Sequence, residues 1–443
     1  MSRLCIVARP LIASALLAYV QCVLAGVERA TLDQHSAAAP AATNGPVAAG
    51  DARADADSQP GRARIRFGDR GELIVDGKRR FIRAGYRSGQ MDGFTDALPT
   101  AAEAGFDMVH DYRFESFDTA KLGAERYVKE AQTYLRRADQ LGLGVFLGLP
   151  RVLVRAADEE TLAKIVAALS NERALWMWYV YDEPRPEILS IDAASRVYNL
   201  LRRLDPQRPS IMLTNSDSAV RQYSPFCDVL WRDRYPIAAT SLQRSSLSPI
   251  AEALETAMKT VPPGKPVWPV LQAQDNKGSP HLRKRAPTLP RPDDRNHRPN
   301  EAELRAQAHV AIARRAMGVA YYWAPETWYS MKRETPGTWA SLTRVLQELR
   351  SLEPVLLSGE ASHPVEVTGD RAKVLRWTRV HDGRMYVGLV NVDINKPAKV
   401  ALATDRGRSF QSVSGDGTVK ATDRGLQVLL GPAGVVVVAT AQQ

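Results

Sequence analysis

The sequence predicts an α/β fold, a closed (β/α)8 TIM barrel followed by a small antiparallel β-sandwich domain. Short apolar runs of strand type alternate with segments of helical period, which is the rhythm of eight βα units. After about Leu352 the helical spacing stops and short strands follow one another, as in a sandwich. A doubly wound open sheet would need fewer strands or a phosphate-binding first turn, and the sequence offers neither.

Eight runs carry the barrel prediction, and each is apolar enough to be a parallel strand buried on both faces. Between them, apolar residues recur at helical spacing, most clearly from Ala124 to Ala138 and again from Val197 to Leu204. The predicted strands are Phe81–Tyr86, Phe106–Tyr112, Gly144–Leu149, Leu175–Tyr181, Ser210–Thr214, Asp228–Tyr235, Pro266–Gln272 and Val319–Trp323.

The sandwich prediction begins with a hairpin. His381-Asp382-Gly383-Arg384 is a turn signal between the runs Val374–Val380 and Met385–Val390. Three more short runs follow without helical spacing, namely Val400–Ala403, Leu426–Leu430 and Val435–Ala439.

The N-terminus has the pattern of an export signal. Arg3 and Arg9 precede an apolar run that ends in Val23-Leu24-Ala25, so we expect a signal peptide over residues 1–25, cleaved after Ala25. The protein would then be periplasmic or secreted, of bacterial type, with no stable membrane anchor after cleavage. An uncleaved anchor is the alternative, although the run is short for a membrane span.

The remaining chain divides by composition. Residues 26–62 are rich in Ala, Asp, Ser and Pro and predict a disordered linker. The barrel domain is expected over 63–352 and the sandwich over 353–443. Beyond the signal peptide the sequence has one cysteine, Cys227, which excludes an intramolecular disulfide and a cysteine metal cluster.

Charge restricts the class of partner. The formal net charge is +10 and the pI is about 9.5, which favours anionic partners. No nucleic-acid-binding motif is present, so nucleic acid is not expected. The basic segment Asp275–Asn300 would leave the seventh strand beside the barrel mouth and suggests an anionic carbohydrate; a solvated insertion is the alternative. The histidines lack metal-ligand spacing, so no metal or organic cofactor is expected.

The stretch Trp178–Pro184 is the strongest functional signal. A bulky apolar strand ends in Asp182 and Glu183, and Pro184 cannot extend the ladder, so both carboxylates should lie at the barrel mouth. A carboxyl group beside apolar walls has a raised pKa and suits a general acid near neutral pH. The structural alternative is that Asp182 caps a helix beginning at Arg185.

Several segments resemble the (β/α)8 glycoside hydrolases, a clan A-like superfamily with a C-terminal β-sandwich. Gly71–Lys78 leading into Phe81–Tyr86 is similar to their opening hairpin and first strand. Gly105–Tyr112 is similar to the second strand, and Gly318–Trp323 to the last. The resemblance implies hydrolysis of O-glycosidic bonds in a poly- or oligosaccharide.

The resemblance also implies roles for particular residues. Glu183 stands where the clan has its acid/base glutamate, at the end of strand four, with Asp182 before it. Gln272 stands near the end of strand seven, where the clan has a glutamate nucleophile. Retaining hydrolysis needs two carboxyl groups roughly 5–5.5 Å apart, and an amide cannot replace the nucleophile.

Three hypotheses remain open. In the first, Glu183 protonates the leaving oxygen while Asp182 orients a 2-acetamido group of the substrate as internal nucleophile. In the second, a carboxylate from another strand end (Asp111, Asp233 or Glu326) activates water across a gap of roughly 6.5–9.5 Å. In the third, the barrel binds carbohydrate without cleaving it.

Other polar and aromatic residues near the predicted strand ends are candidates for substrate binding. Each has an alternative role as a satisfied core group or as barrel packing. Trp323 is expected to floor the sugar site, with Trp328 and Tyr329 extending it. The candidate substrate-binding residues are Tyr86, His110, Tyr112, Asn215, Asp233, Tyr235, Gln272, Trp323 and Glu326.

Overall fold

The computed structural model describes residues 62–86, 97–237, 246–274, 298–323, 331–362, 365–403, 409–423 and 425–441. The expected signal peptide, nearly all of the expected linker and most of the segment Asp275–Asn300 lie outside the described residues, as do Glu326, Trp328 and Tyr329. Within the described ranges, no helix has both the length and the apolar character needed to span a membrane.

A small antiparallel sheet precedes the barrel. It consists of β1 (Ile65–Phe67), β2 (Leu73–Val75) and β3 (Lys78–Arg80), in the order β1-β2-β3. The indole Nε1 of Trp268 donates to the carbonyl of Gly71 at 3.3 Å, which ties the sheet to the start of the seventh barrel strand.

Eight parallel strands then form a closed barrel, which confirms the predicted fold class. They pair in chain order, and the ring closes where the last strand pairs with the first, Gly318 opposite Ile82. The barrel strands are β4 (Ile82–Tyr86), β5 (Met108–Val109), β6 (Gly144–Gly148), β7 (Leu175–Asp182), β8 (Ser210–Thr214), β9 (Val229–Asp233), β10 (Val267–Gln272) and β11 (Gly318–Tyr322).

Helices surround the barrel, and their apolar stripes face it. The stripe predicted from Ala124 onward lies on a helix of 17 residues whose buried side chains include Tyr127, Ala131, Leu135 and Ala138. The described helices are α1 (Ala97–Ala104), α2 (Tyr112–Glu115), α3 (Thr119–Leu122), α4 (Ala124–Gln140), α5 (Arg151–Ala156), α6 (Glu159–Leu169), α7 (Ile191–Leu204), α8 (Asp217–Tyr223), α9 (Ser248–Thr260), α10 (Glu301–Ala313), α11 (Met331–Glu334) and α12 (Pro336–Leu356).

The second barrel strand is shorter than predicted. Strand β5 contains only Met108 and Val109, whereas the apolar pattern predicted a strand as far as Tyr112. The carboxylate of Asp111 accepts from the backbone N–H of Arg113 at 2.9 Å and caps α2, which begins at Tyr112. The local side-chain cap therefore overrides strand propensity and turns Tyr112 across the barrel mouth.

Strand β7 is anchored from below. The indole Nε1 of Trp178 donates to Asp205 at 2.9 Å, and this carboxylate also pairs with Arg208 at 3.3 Å. The register of β7 against β8 shifts between Tyr179 and Tyr181. This irregularity lies just before the strand end that carries Asp182, and bulges of this kind commonly re-aim side chains beside active sites.

The C-terminal strands form two four-stranded antiparallel sheets, which confirms the predicted sandwich. Their orders are β12-β15-β18-β17 and β13-β14-β19-β16, and three of the strands (β12, β16 and β17) were not predicted. The strands are β12 (Glu366–Gly369), β13 (Val374–His381), β14 (Arg384–Asn391), β15 (Ala398–Ala403), β16 (Phe410–Gly415), β17 (Thr418–Thr422), β18 (Gly425–Leu430) and β19 (Val435–Thr440).

The predicted hairpin joins β13 and β14, and Asp382 and Gly383 both adopt positive φ, as a two-residue turn of this kind requires. The sandwich packs against the outer helices of the barrel. There the indole Nε1 of Trp377 donates to Nδ1 of the buried His309 at 3.2 Å.

Candidate active site

Asp182 ends β7 at the barrel mouth and accepts hydrogen bonds from three side chains. The hydroxyl of Tyr112 donates to Oδ2 at 2.5 Å, and Nη2 of Arg151 lies 3.2 Å from the same oxygen. The hydroxyl of Tyr179 donates to Oδ1 at 3.2 Å. The alternative role as a helix cap does not hold, because the next α-helix begins at Ile191. The carboxylate of Asp182 is therefore held in one orientation.

Arg151 and Glu115 belong to the same cluster and were not predicted from the sequence. The guanidinium of Arg151 lies between two carboxylates, 3.1 Å from Glu115 and 3.2 Å from Asp182, and 4.7 Å above the ring centroid of Tyr112. Burial opposes the charge of Arg151, but the neighbouring carboxylates outweigh it and raise the pKa of the guanidinium. Arg151 is the first residue of the short helix α5, which follows the third barrel strand, and nothing in the sequence of this helix indicates such a role.

Glu183 follows Asp182 with a left-handed backbone, at a φ of 48°. A residue other than glycine in this region carries strain and is a common feature of functional sites. Its backbone N–H donates to the carbonyl of Leu213 at 3.0 Å. Asn215, which follows β8, and Asp233, which ends β9, both lower the pKa of its carboxyl group. The strained turn thus sends two successive carboxylates to different sets of partners.

The pKa of Glu183 is raised. Burial is the largest cause, and the negative charge of Asp182 is the next; the interactions with Asp233 and Asn215 oppose the shift. A carboxyl group with a raised pKa retains its proton closer to neutral pH. This is the property that a general acid requires.

Asp233 is 5 % exposed, and its pKa is raised well above the ordinary value. Burial is the main cause, followed by the charges of Glu183 and Asp182. The two arginines that flank Asp233 in the sequence have other hydrogen-bond partners. Arg232 pairs with Asp217 at 2.8 Å, and Nη1 of Arg234 donates to the carbonyl of Asn215 at 2.5 Å.

Gln272 ends β10 and is fully buried. Its Oε1 accepts from the backbone N–H of Ile237 at 3.2 Å, and its Nε2 donates to the carbonyl of Gln274 at 3.2 Å. Gln307 of α10 bonds both the N–H and the carbonyl of Gln272 at 2.9 Å. The side chain of Gln272, at the position where the resemblance implies a nucleophile, therefore braces the end of the seventh strand.

Aromatic side chains fill the barrel beneath the carboxylates. Tyr86 is 4 % exposed and its hydroxyl lies 3.0 Å from that of Tyr179. The fully buried His110 stacks between Tyr86, at 5.2 Å between ring centroids, and Phe146, at 4.9 Å. Tyr86 and His110 thus lie one layer below the mouth, where they support the residues that hold Asp182.

Tyr235 lies at the mouth, half-buried, with its ring centroid 5.7 Å from that of Tyr322. Burial and the charge of Asp233 raise its pKa. Of the predicted binding residues, Asn215, Asp233 and Tyr235 therefore lie beside Glu183.

Trp323 lies away from this group. It is 3 % exposed and packs in the layer between barrel and helices, 5.0 Å from the ring of Trp339 and 5.7 Å from that of Phe106. This packing covers the ring that was expected to lie under a bound sugar.

The side chain of Asp111 accepts a local hydrogen bond as the N-cap of α2, and burial raises its pKa to about 6.

Metal ligands are not clustered in the described part of the chain: no group of three or more histidine, cysteine, aspartate or glutamate side chains there is placed to hold a metal ion.

Comparisons with known proteins agree with this architecture. No protein-family profile and no curated protein sequence matches the chain. Among solved structures, the α-amylase from Geobacillus thermoleovorans in complex with acarbose has a TM-score of 0.55 at 11 % identity, over 82 % of this chain and 99 % of its own. A protein described as a glycoside hydrolase has a TM-score of 0.57 at 11 % identity, over 86 % and 97 %. An Anoxybacillus α-amylase has a TM-score of 0.52 at 13 % identity, over 82 % and 98 %.

At these identities the likeness is one of fold. It extends over 82–86 % of this chain, which contains a closed parallel barrel followed by antiparallel sheets. The chain therefore has the fold of a (β/α)8 glycoside hydrolase with a C-terminal β-sandwich.

Proposed function

We propose that the protein is an exported glycoside hydrolase that cleaves O-glycosidic bonds in a poly- or oligosaccharide, with Glu183 as general acid and Asp182 assisting. The observation that carries the proposal is the split pair at the end of β7. The pKa of Glu183 is raised by burial and by the negative charge of Asp182, whereas the carboxylate of Asp182 is held by three hydrogen-bond donors. Two carboxyl groups in contrasting environments suit an acid and a charged partner.

The arrangement favours substrate-assisted hydrolysis over the other hydrolytic hypotheses. Of the candidate inverting bases, Asp233 is buried and its pKa is raised well above the ordinary value, mainly by burial and then by the charge of Glu183, which disfavours the charged form that a base needs. Asp111 caps α2, and Glu326 lies outside the described residues. Gln272 has no carboxylate to attack the anomeric carbon, and its amide is bonded to the backbone. A 2-acetamido group of the substrate would supply the missing nucleophile.

Asp182 is suited to assist such a step. Tyr112 and Tyr179 donate hydrogen bonds to its carboxylate, and Arg151 forms an ion pair with it. A fixed negative charge beside the anomeric carbon would orient the acetamido N–H and stabilise the positive charge that develops as the glycosidic bond breaks.

Two further parts of the proposal rest on residues outside the described ranges. Export rests on the signal-peptide pattern of residues 1–25. An anionic substrate rests on the basic segment Asp275–Asn300. Among the described residues, the barrel mouth carries the carboxyl groups of Asp182, Glu183 and Asp233, which would repel an anionic sugar. The proposed preference for anionic sugars therefore does not include the subsite next to the cleaved bond.

The proposal is tested with a panel of neutral, acetamido and uronic-acid polysaccharides. Purified protein lacking residues 1–25 is incubated with each, and released oligosaccharides are measured by mass spectrometry. Products from acetamido sugars alone are the expected result. A folded protein that binds a polysaccharide from the panel but releases no products from any would instead support a non-catalytic carbohydrate-binding barrel.

A further inference from the structure

The guanidinium of Arg151 uses only part of its hydrogen-bonding capacity within the protein. Nε donates to Oε2 of Glu115 at 3.2 Å, and Nη2 lies 3.1 Å from the same oxygen. Nη2 also donates to Oδ2 of Asp182 at 3.2 Å and to the hydroxyl of Tyr112. Nη1 carries two further N–H groups, and neither has an acceptor among the described residues. Two donors of a firmly held cation are therefore unused.

These unused donors belong to a side chain at the barrel mouth. The side chain of Arg151 is 28 % exposed and that of Asp182 is 18 % exposed, so solvent reaches both. The rings of Tyr112 and Tyr181 lie 4.7 and 5.7 Å from the guanidinium carbon and restrict its movement. A sugar unit placed against Asp182 would therefore meet a guanidinium whose position is already fixed.

We propose that Arg151 is a substrate-binding residue: its Nη1 donates to an uncharged oxygen, such as a hydroxyl, of the sugar unit bound beside Asp182, and Glu115 is a positioning residue that holds the guanidinium there. The inference rests on the proposed function for its class of ligand, a carbohydrate. It does not depend on cleavage, because binding can be measured without turnover.

The charges around Arg151 determine the kind of acceptor. Its single positive charge lies between two carboxylates, 3.1 Å from Glu115 and 3.2 Å from Asp182. A carboxylate on the substrate would bring a third negative charge to this cation and would be repelled by the other two. A neutral oxygen accepts a charge-assisted hydrogen bond from Nη1 without that repulsion. The sugar unit beside Asp182 is therefore neutral at the group that Arg151 contacts.

Glu115 is placed to fix Arg151 and is too buried to touch a ligand. It is the last residue of α2 and is 1 % exposed. Gly148 ends β6 beside it, and a Cβ added there would lie 2.9 Å from the Cβ of Glu115, closer than side chains approach in folded proteins. Contact with both Nε and Nη2 fixes the plane of the guanidinium, which an ion pair with a lysine would not do. Glu115 thus acts on a ligand only through Arg151.

The first test measures retardation of the protein in native gels that contain each polysaccharide of the panel. All variants carry Glu183→Gln, so that the polymer stays intact. Arg151→Lys keeps a cation but lacks the planar fork, and we expect at least about tenfold weaker binding of neutral or acetamido polysaccharides. Glu115→Gln should also weaken binding, but not further once Arg151→Lys is present. The control is Arg155→Met, an exposed residue of the same helix, which should leave binding unchanged.

Three results of this test would overturn the proposal. They are unchanged binding by Arg151→Lys, a loss confined to uronic-acid polysaccharides, and binding of no polysaccharide at all. Additive losses from Glu115→Gln and Arg151→Lys would remove the positioning role of Glu115.

A second measurement needs no substitution at Arg151 or Glu115. Phenylglyoxal modifies exposed guanidinium groups, and mass spectrometry locates the modified arginines in Glu183→Gln protein with and without a retained polysaccharide. The polysaccharide should protect Arg151 and leave Arg155, one helical turn away, reactive. Equal modification of Arg151 in both samples would refute the proposal. Protection of Arg151 without products from the unaltered protein would instead count against the proposed hydrolysis alone.

Discussion

Replacing Arg151 with methionine removes the cation that lies between Glu115 and Asp182. At the observed separations of 3.1 and 3.2 Å, each contact is worth about 5 kcal/mol at an effective dielectric constant of about 20. Two effects reduce this figure. The guanidinium is 28 % exposed, so water screens both contacts, and the variant avoids the cost of partly burying a charge. We therefore expect a net loss of about 2–4 kcal/mol in the free energy of unfolding. For a chain of this size the thermal midpoint should fall by about 3–5 °C.

The loss should depend on pH. The two carboxylates repel each other in the variant, so its folded state binds a proton at higher pH than the unfolded chain does. Stability from that proton is present at low pH and lost as pH rises, so the deficit should be larger at pH 8 than at pH 5. Arg155→Met, one helical turn away on an exposed side chain, is the control. Equal losses for the two variants, or a deficit independent of pH, would refute the reasoning.

Two further predictions concern the scaffold. Gly388→Ala places a Cβ into the ring of Trp377, so we expect a loss of about 1–3 kcal/mol in the free energy of unfolding, measured by heat or denaturant. The control Gly359→Ala, where a Cβ meets nothing within 4 Å, should be near neutral. Equal effects of the two substitutions would contradict the steric overlap at Gly388. Asp205→Asn leaves the charge of Arg208 buried without its carboxylate partner, since both side chains are fully buried. We expect a loss of about 3–5 kcal/mol by the same measurement, and a loss below about 1 kcal/mol would count against this anchor of β7.

The barrel could be predicted because its pattern is local. Each buried parallel strand reads as an apolar run, and each helix shows a stripe such as the one from Ala124 to Ala138. The second strand was overestimated, since a cap by Asp111 converts Tyr112 into the start of a helix. Strands β12, β16 and β17 were missed because most of their side chains are exposed, and an exposed edge strand lacks the apolar run that marks a buried one.

The site could be predicted only in part. Asp182 and Glu183 were found because their signal lies within one strand and the proline after it. The roles of Arg151 and Glu115 depend on contacts across three strand ends, which no spacing in the sequence records. The placement of the Glu183 side chain depends likewise on a left-handed turn, which is an unfavoured conformation for glutamate.

The general-acid role of Glu183 is the central claim, and the leaving group tests it most directly. Once the panel has identified a cleaved sugar, Glu183→Gln and the unaltered protein are compared on its natural linkage and on its 2,4-dinitrophenyl glycoside, whose leaving group needs no proton. We predict a loss of at least about 100-fold in kcat/KM on the natural linkage and a much smaller loss on the aryl glycoside. Equal losses on both substrates would contradict the account, because they would assign Glu183 a role other than proton donation.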